Sequence, residues 1–537
     1  MRTISCLLLY LASLSFTWAQ ERAAELVEAD ARFEVLVQLK ANQQPKDLLQ
    51  AFQQNFQSPL RIKRAVVASR NIYLFQYPTA LETNQVLPWM KKQKSVAFVQ
   101  KNAKVEYRNT IPNDPFYGNQ WNMEIIKAPA VWDRSTGGKT ANGDDIVVAV
   151  IDSGCQLAHD DLQANLWKNK GEIADDGIDN DNNGYIDDYQ GWNTDNLTDE
   201  HPDSFHGTAV AGIVGARGDN DLGVTGVNWD VKLLNISGAN FSDEIVEMYY
   251  YVADLRRAYN QSNGEKGAFI VATNSSFGLT GDPVDYPLWC NAYDTLGLVG
   301  VLNAGATTNA DLNVDEIGDM PSSCQSDFLI TVTDTDQNDE RQFSGYGKKN
   351  VDLGAPGSPS YTVNQNNGYA NFGGTSAATP HVAGAIALLY SMPCDELATN
   401  ALLNPAGTAL KIKRHILNGT DPLASLKDKS STGGRLNLEK AATRLMDNCN
   451  GVGPLEFVNA FPNPTNGLIS FTFQRPDNTQ YTISVYNSLG QLMDRATIVA
   501  NSNQSELTID ATGWGQGIYF VTLENINDRI STKFMVY

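Results

Sequence analysis

Hydrophobic residues in the middle of the chain fall into short unbroken runs that alternate with longer stretches of helical spacing. Such runs are typical of strands buried on both faces of a sheet. They occupy residues 146–151, 231–235, 269–274, 299–303 and 328–332, and residues 243–259 are one of the helical stretches between them. Strands that alternate with helices predict an α/β fold with a doubly wound, mostly parallel sheet over residues 111–448.

The N-terminal part of the chain, residues 20–110, alternates the same two patterns on a smaller scale. Strand-like segments such as FEVLVQLK and NIYLFQY flank helical segments at residues 45–55 and 80–92. This alternation predicts a small α+β domain, an open sheet with helices on one face.

The last part, residues 451–537, contains no convincing helix. Its strand-like segments, FVNAFPN, GLISFTFQ, YTISVYNSLG, QSELTID, GIYFVTLEN and STKFMVY, are separated by turn residues. This spacing predicts a small all-β sandwich. Before it, a closing helix is expected to begin at residues 433–435 and to end near Met446.

The chain begins with a segment typical of export. Residues 1–19 combine Arg2 with a short apolar core from Ile4 to Phe16 and a small residue at Ala19, which predicts a cleavable signal peptide. This core is too short to span a bilayer, and no other apolar run approaches ~18 residues, so we expect no transmembrane helix.

Composition narrows the class of protein. The 537 residues are too many for one core, and the formal net charge is -21. Several domains are therefore expected. The excess of negative charge argues against nucleic acid as a partner and favours the soluble surface of an exported protein. A generally acidic proteome would give the same excess.

The cysteine count agrees with an extracytoplasmic protein. Six cysteines are present, and Cys6 would leave with the signal peptide. An odd number outside the cell suggests two bridges and one free thiol. Our pairing, one of several that the count allows, is Cys394 with Cys449 and Cys290 with Cys324, which leaves Cys155 free.

One serine lies where a helix is expected to begin. In the stretch NFGGTSAATPHVAGAIALL, residues 371–389, Ser376 follows a glycine pair and precedes apolar residues at helical spacing. Backbone N–H groups at such a terminus stabilise developing negative charge. A serine nucleophile also needs a histidine base and a carboxylate that orients the base.

The chain has five histidines, so the search for the base is short. His206 begins the small-residue segment HGTAVAGIVGA. Asp152 ends the apolar run IVVAVID, at the edge of the sheet where open α/β folds place their sites. Taken by itself, Ser376 fits an ordinary helix N-cap. Cys155, which lies near Asp152 in the sequence, is an alternative nucleophile. The order Asp152, His206, Ser376 is one of the known triad arrangements.

The segments VAVIDSG, HGTAVAGIV and GTSAATPHVAG resemble the three signature segments of the subtilisin-like (subtilase) serine peptidases. The resemblance spans residues 112–448 and implies a serine endopeptidase. It gives Ser376 the role of nucleophile, His206 that of general base and Asp152 that of its orienting acid. It further implies that Ser276, Phe277 and Gly278 form a strand that pairs with an extended substrate.

One feature of the family is altered. Its oxyanion-hole asparagine comes from a segment reading A-A-G-N, whereas GLVGVLNAGATTNAD has Ala306 in that register. Asn303 and Asn309 are the available substitutes. We favour Asn309, although it reads equally well as an ordinary loop asparagine.

A polar insertion between Asp152 and His206 has the spacing of a calcium loop. The expected ligands are Asp179, Asp181, Asn183, the Tyr185 carbonyl and Asp187, with Gly184 at the turn. Gln190 replaces the last glutamate of an EF-hand, so the loop is only related in geometry. A solvated acidic turn is the alternative. Many secreted members of the family carry a similar insertion, and the expected role of Ca²⁺ is structural.

Both flanking domains have resemblances of their own. Residues 20–110 resemble subtilase propeptides in position and length. This implies an intramolecular inhibitor whose end, residues 107–110, occupies the cleft and is cut by Ser376; a plain binding module is the alternative. Residues 451–537 resemble the C-terminal sorting domain of the type IX secretion system of Bacteroidota, which implies contact with outer-membrane secretion machinery. A carbohydrate- or surface-binding sandwich is the alternative.

Two hypotheses about function follow. The favoured one is a calcium-stabilised serine endopeptidase that is made as a zymogen, acts on proteins or peptides, and is secreted or held at the cell surface. The other is a catalytically weak surface-binding protein on a peptidase scaffold, suggested by Ala306.

Overall fold

The computed structural model describes residues 33–79, 81–102, 110–449, 456–474, 480–499, 504–524 and 529–537. The predicted signal peptide and most of the predicted cleavage junction at residues 107–110 lie outside the described residues. The chain divides into two compact units, residues 1–108 and 109–537, and each is described by itself. No helix in the described ranges is both long and apolar enough to cross a membrane.

The first unit is the small α+β domain that the sequence predicts. Its four strands form one antiparallel sheet in the order β2-β3-β1-β4. Leu48 and Phe52 share one face of the first helix and pack with alternate residues Val35 and Val37 of the first strand. The elements are β1 (Glu34–Leu39), α1 (Pro45–Phe56), β2 (Arg61–Val67), β3 (Ile72–Gln76), α2 (Thr83–Lys91) and β4 (Val96–Lys101).

The second unit contains a nine-stranded sheet in the order β14-β15-β11-β10-β9-β8-β5-β7-β6. Neighbouring strands from β15 to β6 run parallel, and β14 is antiparallel. The strands are β5 (Val147–Asp152), β6 (Gly191–Asn193), β7 (Lys232–Ser237), β8 (Ile270–Ser275), β9 (Leu302–Ala306), β10 (Leu329–Asp336), β11 (Leu353–Ser358), β14 (Asp421–Pro422) and β15 (Gly434–Arg435). A separate hairpin pairs β12 (Ser360–Asn364) with β13 (Gly368–Phe372).

Helices cover both faces of this sheet, which confirms the doubly wound fold. In β5, Val148 and Val150 belong to one apolar core, whereas Ala149 and Ile151 belong to the other. The helices are α3 (Trp121–Ile125), α4 (Ala128–Trp132), α5 (Phe205–Gly215), α6 (Ser242–Ser262), α7 (Pro287–Val299), α8 (Val314–Ile317), α9 (Thr375–Tyr390), α10 (Asp395–Leu403), α11 (Pro405–Asn418) and α12 (Leu438–Cys449). Helices α5 and α9 contribute to the first core, and α6 and α7 to the second.

Several element boundaries differ from the sequence-based expectation, and two of them fall at junctions between elements. The strand expected at residues 299–303 begins at Leu302, because α7 continues to Val299 and Gly300, with φ 102°, ends it. The closing helix begins at Leu438 rather than at residue 433. Instead, Gly434 and Arg435 form β15, where Arg435 pairs with Gly354 of β11. At the first junction the apolar pattern runs on across Gly300, so it does not mark the boundary.

The C-terminal region forms two antiparallel sheets around an apolar core, as the sequence predicts. One sheet has the order β16-β17-β20 and the other β19-β18-β21-β22. The strands are β16 (Glu456–Phe461), β17 (Leu468–Gln474), β18 (Gln480–Asn487), β19 (Leu492–Val499), β20 (Gln504–Asp510), β21 (Gly517–Glu524) and β22 (Arg529–Val536). Strand β19 is absent from the sequence-based prediction. It lies at a sheet edge, and its first residues, Leu492 and Met493, are exposed, so it lacks a clear buried face.

Candidate active site

Asp152 lies at the carboxyl end of the central strand β5 and is buried. Its Oδ1 accepts hydrogen bonds from the backbone N–H and the hydroxyl of Ser153, at 2.7 and 3.0 Å. The five residues before it in β5 are apolar and buried on both sides. The strand therefore holds one carboxylate, kept in place by hydrogen bonds, at the edge of the sheet where open α/β folds place their sites.

His206 lies in the first turn of α5 and meets this carboxylate. Its Nδ1 is 2.8 Å from Oδ1 and 3.0 Å from Oδ2 of Asp152, and its ring packs edge-on against Phe372. Gly207 permits this approach, because a Cβ there would lie 1.9 Å from the Gly154 carbonyl oxygen. Burial opposes protonation of the ring, but the hydrogen bond and charge of Asp152 outweigh it and raise the pKa of His206.

Ser376 lies in the first turn of α9, directly after the turn made by Gly374, which has φ 80°. Its hydroxyl donates to the carbonyl of Ser276 at 3.2 Å, and the Ser276 hydroxyl donates to the carbonyl of Ser376 at 3.0 Å. These reciprocal bonds hold the start of α9 against the end of β8.

The two pairs, Asp152 with His206 and Ser276 with Ser376, lie at the same edge of the sheet. Ile151 of β5 is in register with Ser275 of β8, so the residues that follow these two positions emerge side by side. Among the hydrogen bonds of the described residues, none joins His206 to Ser376. The structure thus brings together the predicted base and acid, and it holds the predicted nucleophile against the end of β8, the strand beside β5.

Asn309 lies beside the start of α9. Its Oδ1 accepts from the backbone N–H and the hydroxyl of Thr375, at 2.9 and 3.0 Å, and this leaves the N–H₂ group of the amide to donate elsewhere. Asn303 is fully buried, and its amide binds Thr273 and the Phe328 carbonyl. Of the two substitutes considered from sequence, only Asn309 has an available donor next to Ser376.

A cavity of about 210 Å³ opens beside Ser376, and we call it the Ser376 cavity. Ala306 and Asn309 are among the residues that line it. Its lining residues are Ser276, Phe277, Gly278, Leu279, Thr280, Ala306, Thr307, Thr308, Asn309, Asp319, Met320, Thr375 and Ser376. Asp319 is a lining residue that the sequence reasoning missed, because no motif marks it.

The segment predicted as a substrate-pairing strand, residues 276–278, lines this cavity but is not part of a strand. Strand β8 ends at Ser275, and the next backbone pairing is an isolated antiparallel bridge between Leu279 and Met320. The segment therefore has no strand partner within the described part of the chain, and its pairing with an extended substrate stays a prediction. Without a partner along its open side, the segment has no ladder of hydrogen bonds that would define it as a strand.

A larger cavity, of about 1020 Å³, lies at the opposite edge of the sheet. It is lined by residues at the amino ends of the strands, among them Val147, Lys232 and Phe269. We assign the chemistry to the smaller cavity, because only that one contains Ser376 and Asn309.

The polar insertion brings three carboxylates together. One ligand oxygen from each of Glu172, Asp179 and Asp181 lies within 4.8 Å of the other two. Glu172 is buried; its Oε1 accepts from the backbone N–H of residues 180 and 181, while Oε2 is enclosed with no partner. Such an orphaned, buried carboxylate oxygen fits a hard cation, which prefers oxygen ligands.

The other predicted ligands make different contacts. The carboxylate of Asp187 accepts from the backbone N–H groups of Asp176 and Gly177, at 3.1 and 2.8 Å, and it is not part of the three-carboxylate group. Asn183 accepts from the Tyr185 N–H and donates to Asp188. The sequence motif missed Glu172 because this residue precedes the loop and follows no ligand spacing.

The cysteines form the predicted pairs. Disulfides join Cys290 to Cys324 and Cys394 to Cys449. Cys155 is free and buried, and burial raises the pKa of its thiol to about 12. A thiol of this kind is a poor nucleophile.

Two family models match the chain. Residues 143–436 match the model described as the subtilase family, and residues 459–537 match the model described as a secretion system C-terminal sorting domain.

Curated relatives carry matching names. "Subtilisin-like protease 1" of Plasmodium berghei is 26% identical over 367 residues, 65% of this chain and 58% of that protein. "Intracellular serine protease" of Paenibacillus polymyxa is 30% identical over 308 residues, 56% of this chain and 81% of that protein. The match with "Subtilisin-like protease 2" of Plasmodium falciparum spans only 23% of that protein.

Solved structures with similar folds include two proteases. A protease from Pseudoalteromonas arctica is 24% identical, with a TM-score of 0.46 over 63% of this chain and all of that chain. The epidermin leader peptide-processing serine protease of Staphylococcus aureus is 18% identical, with a TM-score of 0.46 over 76% of this chain and 98% of that chain.

Proposed function

Because the chain belongs to the subtilase family, we propose that it is a serine endopeptidase that hydrolyses proteins through an acyl-enzyme, with Ser376 as nucleophile. The observation that carries this proposal is the contact between His206 and Asp152, at the same edge of the sheet as a serine at the N-terminus of a buried helix. A base with a fixed tautomer beside a helix-terminal serine is the arrangement that acyl transfer requires.

The reaction begins when the Ser376 hydroxyl leaves the Ser276 carbonyl and turns toward His206. Its oxygen attacks the scissile carbonyl carbon while His206 Nε2 takes the proton, and Asp152 stabilises the imidazolium. His206 then protonates the leaving amine. Water attacks the resulting acyl-enzyme by the same route and releases Ser376. The raised pKa of His206 means that activity falls as pH drops below this pKa, because the protonated ring is no longer a base.

The proposed oxyanion hole combines the N–H groups at the start of α9 with the Asn309 amide. Thr375 holds the Oδ1 of Asn309, so the Nδ2 hydrogens are pre-oriented toward the space beside Ser376. Preorganised donors of this kind stabilise the transition state because they need no reorganisation during reaction.

We further propose a structural calcium ion in the insertion, bound by Glu172, Asp179 and Asp181. The enclosed, unpaired Oε2 of Glu172 supports this proposal. The ion would neutralise three neighbouring carboxylates and tie down a long loop; it would have no part in the chemistry.

We propose roles in maturation and export for the two flanking domains. Residues 20–110 would act as an inhibitory propeptide, so that the enzyme is made as a zymogen. The matched sorting domain at residues 459–537, together with the predicted signal peptide, would direct the protein through the type IX machinery to the cell surface or the medium.

Labelling with a fluorophosphonate probe tests the enzymatic proposal. The mature wild-type protein should take one label, at Ser376, and Ser376→Ala should take none. A folded wild-type protein that takes no label would instead support the alternative, a catalytically weak surface-binding protein.

A further inference from the structure

The Ser376 cavity contains one ionisable side chain, that of Asp319. This residue is 3% exposed, and both of its side-chain hydrogen bonds go to Oδ2: the Thr308 N–H donates at 3.2 Å and the Ser322 hydroxyl at 2.6 Å. Its Oδ1 makes no hydrogen bond among the described residues, yet it is not one of the fully enclosed unpaired atoms. Because Asp319 lines the cavity, this oxygen is open to what the cavity holds.

No cation among the described residues neutralises this carboxylate. In that part of the chain no lysine, arginine or histidine forms an ion pair with Asp319, and its two neighbours Thr308 and Ser322 are neutral. A buried carboxylate without a counter-charge is unfavourable, and a cation that enters its site removes the penalty. The ligand that enters the cavity would supply that cation.

Four lining residues of the cavity suit the stem of a long basic side chain. Phe277, Leu279, Ala306 and Met320 are apolar. Lysine and arginine bury their methylene groups along apolar surfaces and keep the charged head in a polar place. A lining that combines these four apolar residues with a carboxylate matches this division.

The close approach of residues 278 and 320 in the cavity lining requires glycine at position 278. A Cβ at this position would lie 2.1 Å from the Met320 carbonyl oxygen, so any other residue would push apart the two walls on which the stem packs.

Building on the proposed peptidase activity, we propose that Asp319 determines specificity and selects substrates with lysine or arginine on the acyl side of the scissile bond. The side chain enters beside Ser376, its stem packs against Phe277 and Met320, and its charge meets Oδ1 of Asp319. This is a role in substrate binding; the proton transfers remain with Ser376 and His206.

The preference should depend on pH. Burial raises the pKa of Asp319 to about 6, and the hydrogen bonds from Ser322 and Thr308 only partly offset this rise. The carboxylate is therefore charged above about pH 6 and protonated below it. Selectivity for a cationic side chain is expected to be full at neutral pH and to decline as pH falls through this range.

Two fluorogenic peptides that differ only in arginine or citrulline before the scissile bond provide the test, because these side chains match in shape and differ in charge. Wild type should cleave the arginine peptide with a kcat/KM at least tenfold higher. In Asp319→Asn, which keeps an oxygen acceptor for Ser322 and Thr308, this ratio should fall toward one. Asp285→Asn, an equal charge change at an exposed position outside the cavity lining, should keep the wild-type ratio.

The outcomes separate the two proposals. If wild type takes the fluorophosphonate label but cleaves both peptides equally, or if Asp319→Asn retains the wild-type ratio, the role of Asp319 is refuted and the peptidase activity stands. If wild type takes no label and cleaves nothing, the proposed function fails. Thermal melts of the variants verify folding, and a proteome-derived peptide library should give the same preference as the peptide pair.

Discussion

At the scale of single residues, the candidate site is built from side chains whose partners are fixed by short, specific contacts. Asp152 and His206 form one such pair, and Asn309 with Thr375 forms another. The sequence predicted the first pair from two motifs. It named Asn303 and Asn309 as possible oxyanion donors and favoured Asn309, but it could not show that the Asn303 amide is already bound to Thr273 within the sheet.

We predict that Asn309→Ala lowers kcat by about 10²- to 10³-fold with little change in KM, because an oxyanion donor acts only in the transition state. Steady-state kinetics on a fluorogenic peptide measure this. Asn309→Asp, which keeps the acceptor for Thr375 but loses the donor, should show a similar loss. Asn291→Ala, at an exposed position of α7, is the neutral control. Wild-type kcat in both Asn309 variants would contradict the assignment.

A second prediction concerns Asp334, a buried carboxyl near the start of α9. Its Oδ2 accepts from the Ser358 hydroxyl, which itself accepts from the Gly374 N–H. Burial raises the pKa of Asp334 from its ordinary value of 3.8 to about 7, against partial opposition from Ser358. The folded protein therefore retains a proton that the unfolded chain loses near pH 3.8.

The stabilisation that the protonated Asp334 carboxyl contributes to the folded state is therefore lost as pH rises. Between about pH 4 and pH 7, wild type should lose about 1.4 kcal/mol of unfolding free energy per pH unit relative to Asp334→Asn, which has no proton to release. Denaturant melts of both proteins across this range measure the difference. A difference that stays constant with pH would mean that Asp334 is not held protonated.

At the scale of elements, the main strands and helices follow from periodicity, and the errors occur where periodicity is uninformative. Strand β19 is exposed at an edge, and the junction of α7 with β9 carries one continuous apolar pattern. The acidic insertion is a mixed case. Its motif includes Asp179 and Asp181, which lie close together in the structure, whereas Glu172 joins them only through the folded path of the loop.

We expect calcium to stabilise this insertion. Removal of calcium by a chelator should lower the melting temperature of wild type by a few degrees, since a ligand at a hundredfold excess over its Kd contributes about 2.7 kcal/mol. Glu172→Gln should abolish the difference, whereas Asp187→Asn should retain it if the three-carboxylate group is the site. Differential scanning fluorimetry measures these shifts. An equal melting temperature with and without calcium would refute the site.

At the scale of the whole molecule, separate apolar cores correspond to the domains read from the sequence. The residues of the first unit, the two faces of the central sheet and the C-terminal sheets each form their own cluster. Two disulfides, Cys290–Cys324 and Cys394–Cys449, add covalent links within the central region. Each of these parts can therefore fold around its own core.

The zymogen proposal predicts self-cleavage. Wild-type protein expressed without its signal peptide should shorten from the N-terminus by roughly the length of residues 20–110, because Ser376 cuts the junction. Ser376→Ala should remain full length, since it lacks the nucleophile. Intact mass and N-terminal sequencing distinguish these products. An uncleaved wild-type protein that still takes the fluorophosphonate label would refute self-processing and leave the peptidase activity intact.

The sequence by itself determined the parts that depend on local pattern: the alternating strands and helices, the segments that carry Asp152, His206 and Ser376, and a count of cysteines that suits two bridges. Tertiary structure decided which side chains meet across long separations. In the fold, the Oδ1 of Asn309 binds Thr375 and its N–H₂ group remains available as a donor. Glu172 lies beside the carboxylates of the acidic loop, and Asp319 lines the cavity beside Ser376. The physical reason is that periodicity records burial against a core, whereas contacts between distant loops leave no repeating mark in the chain.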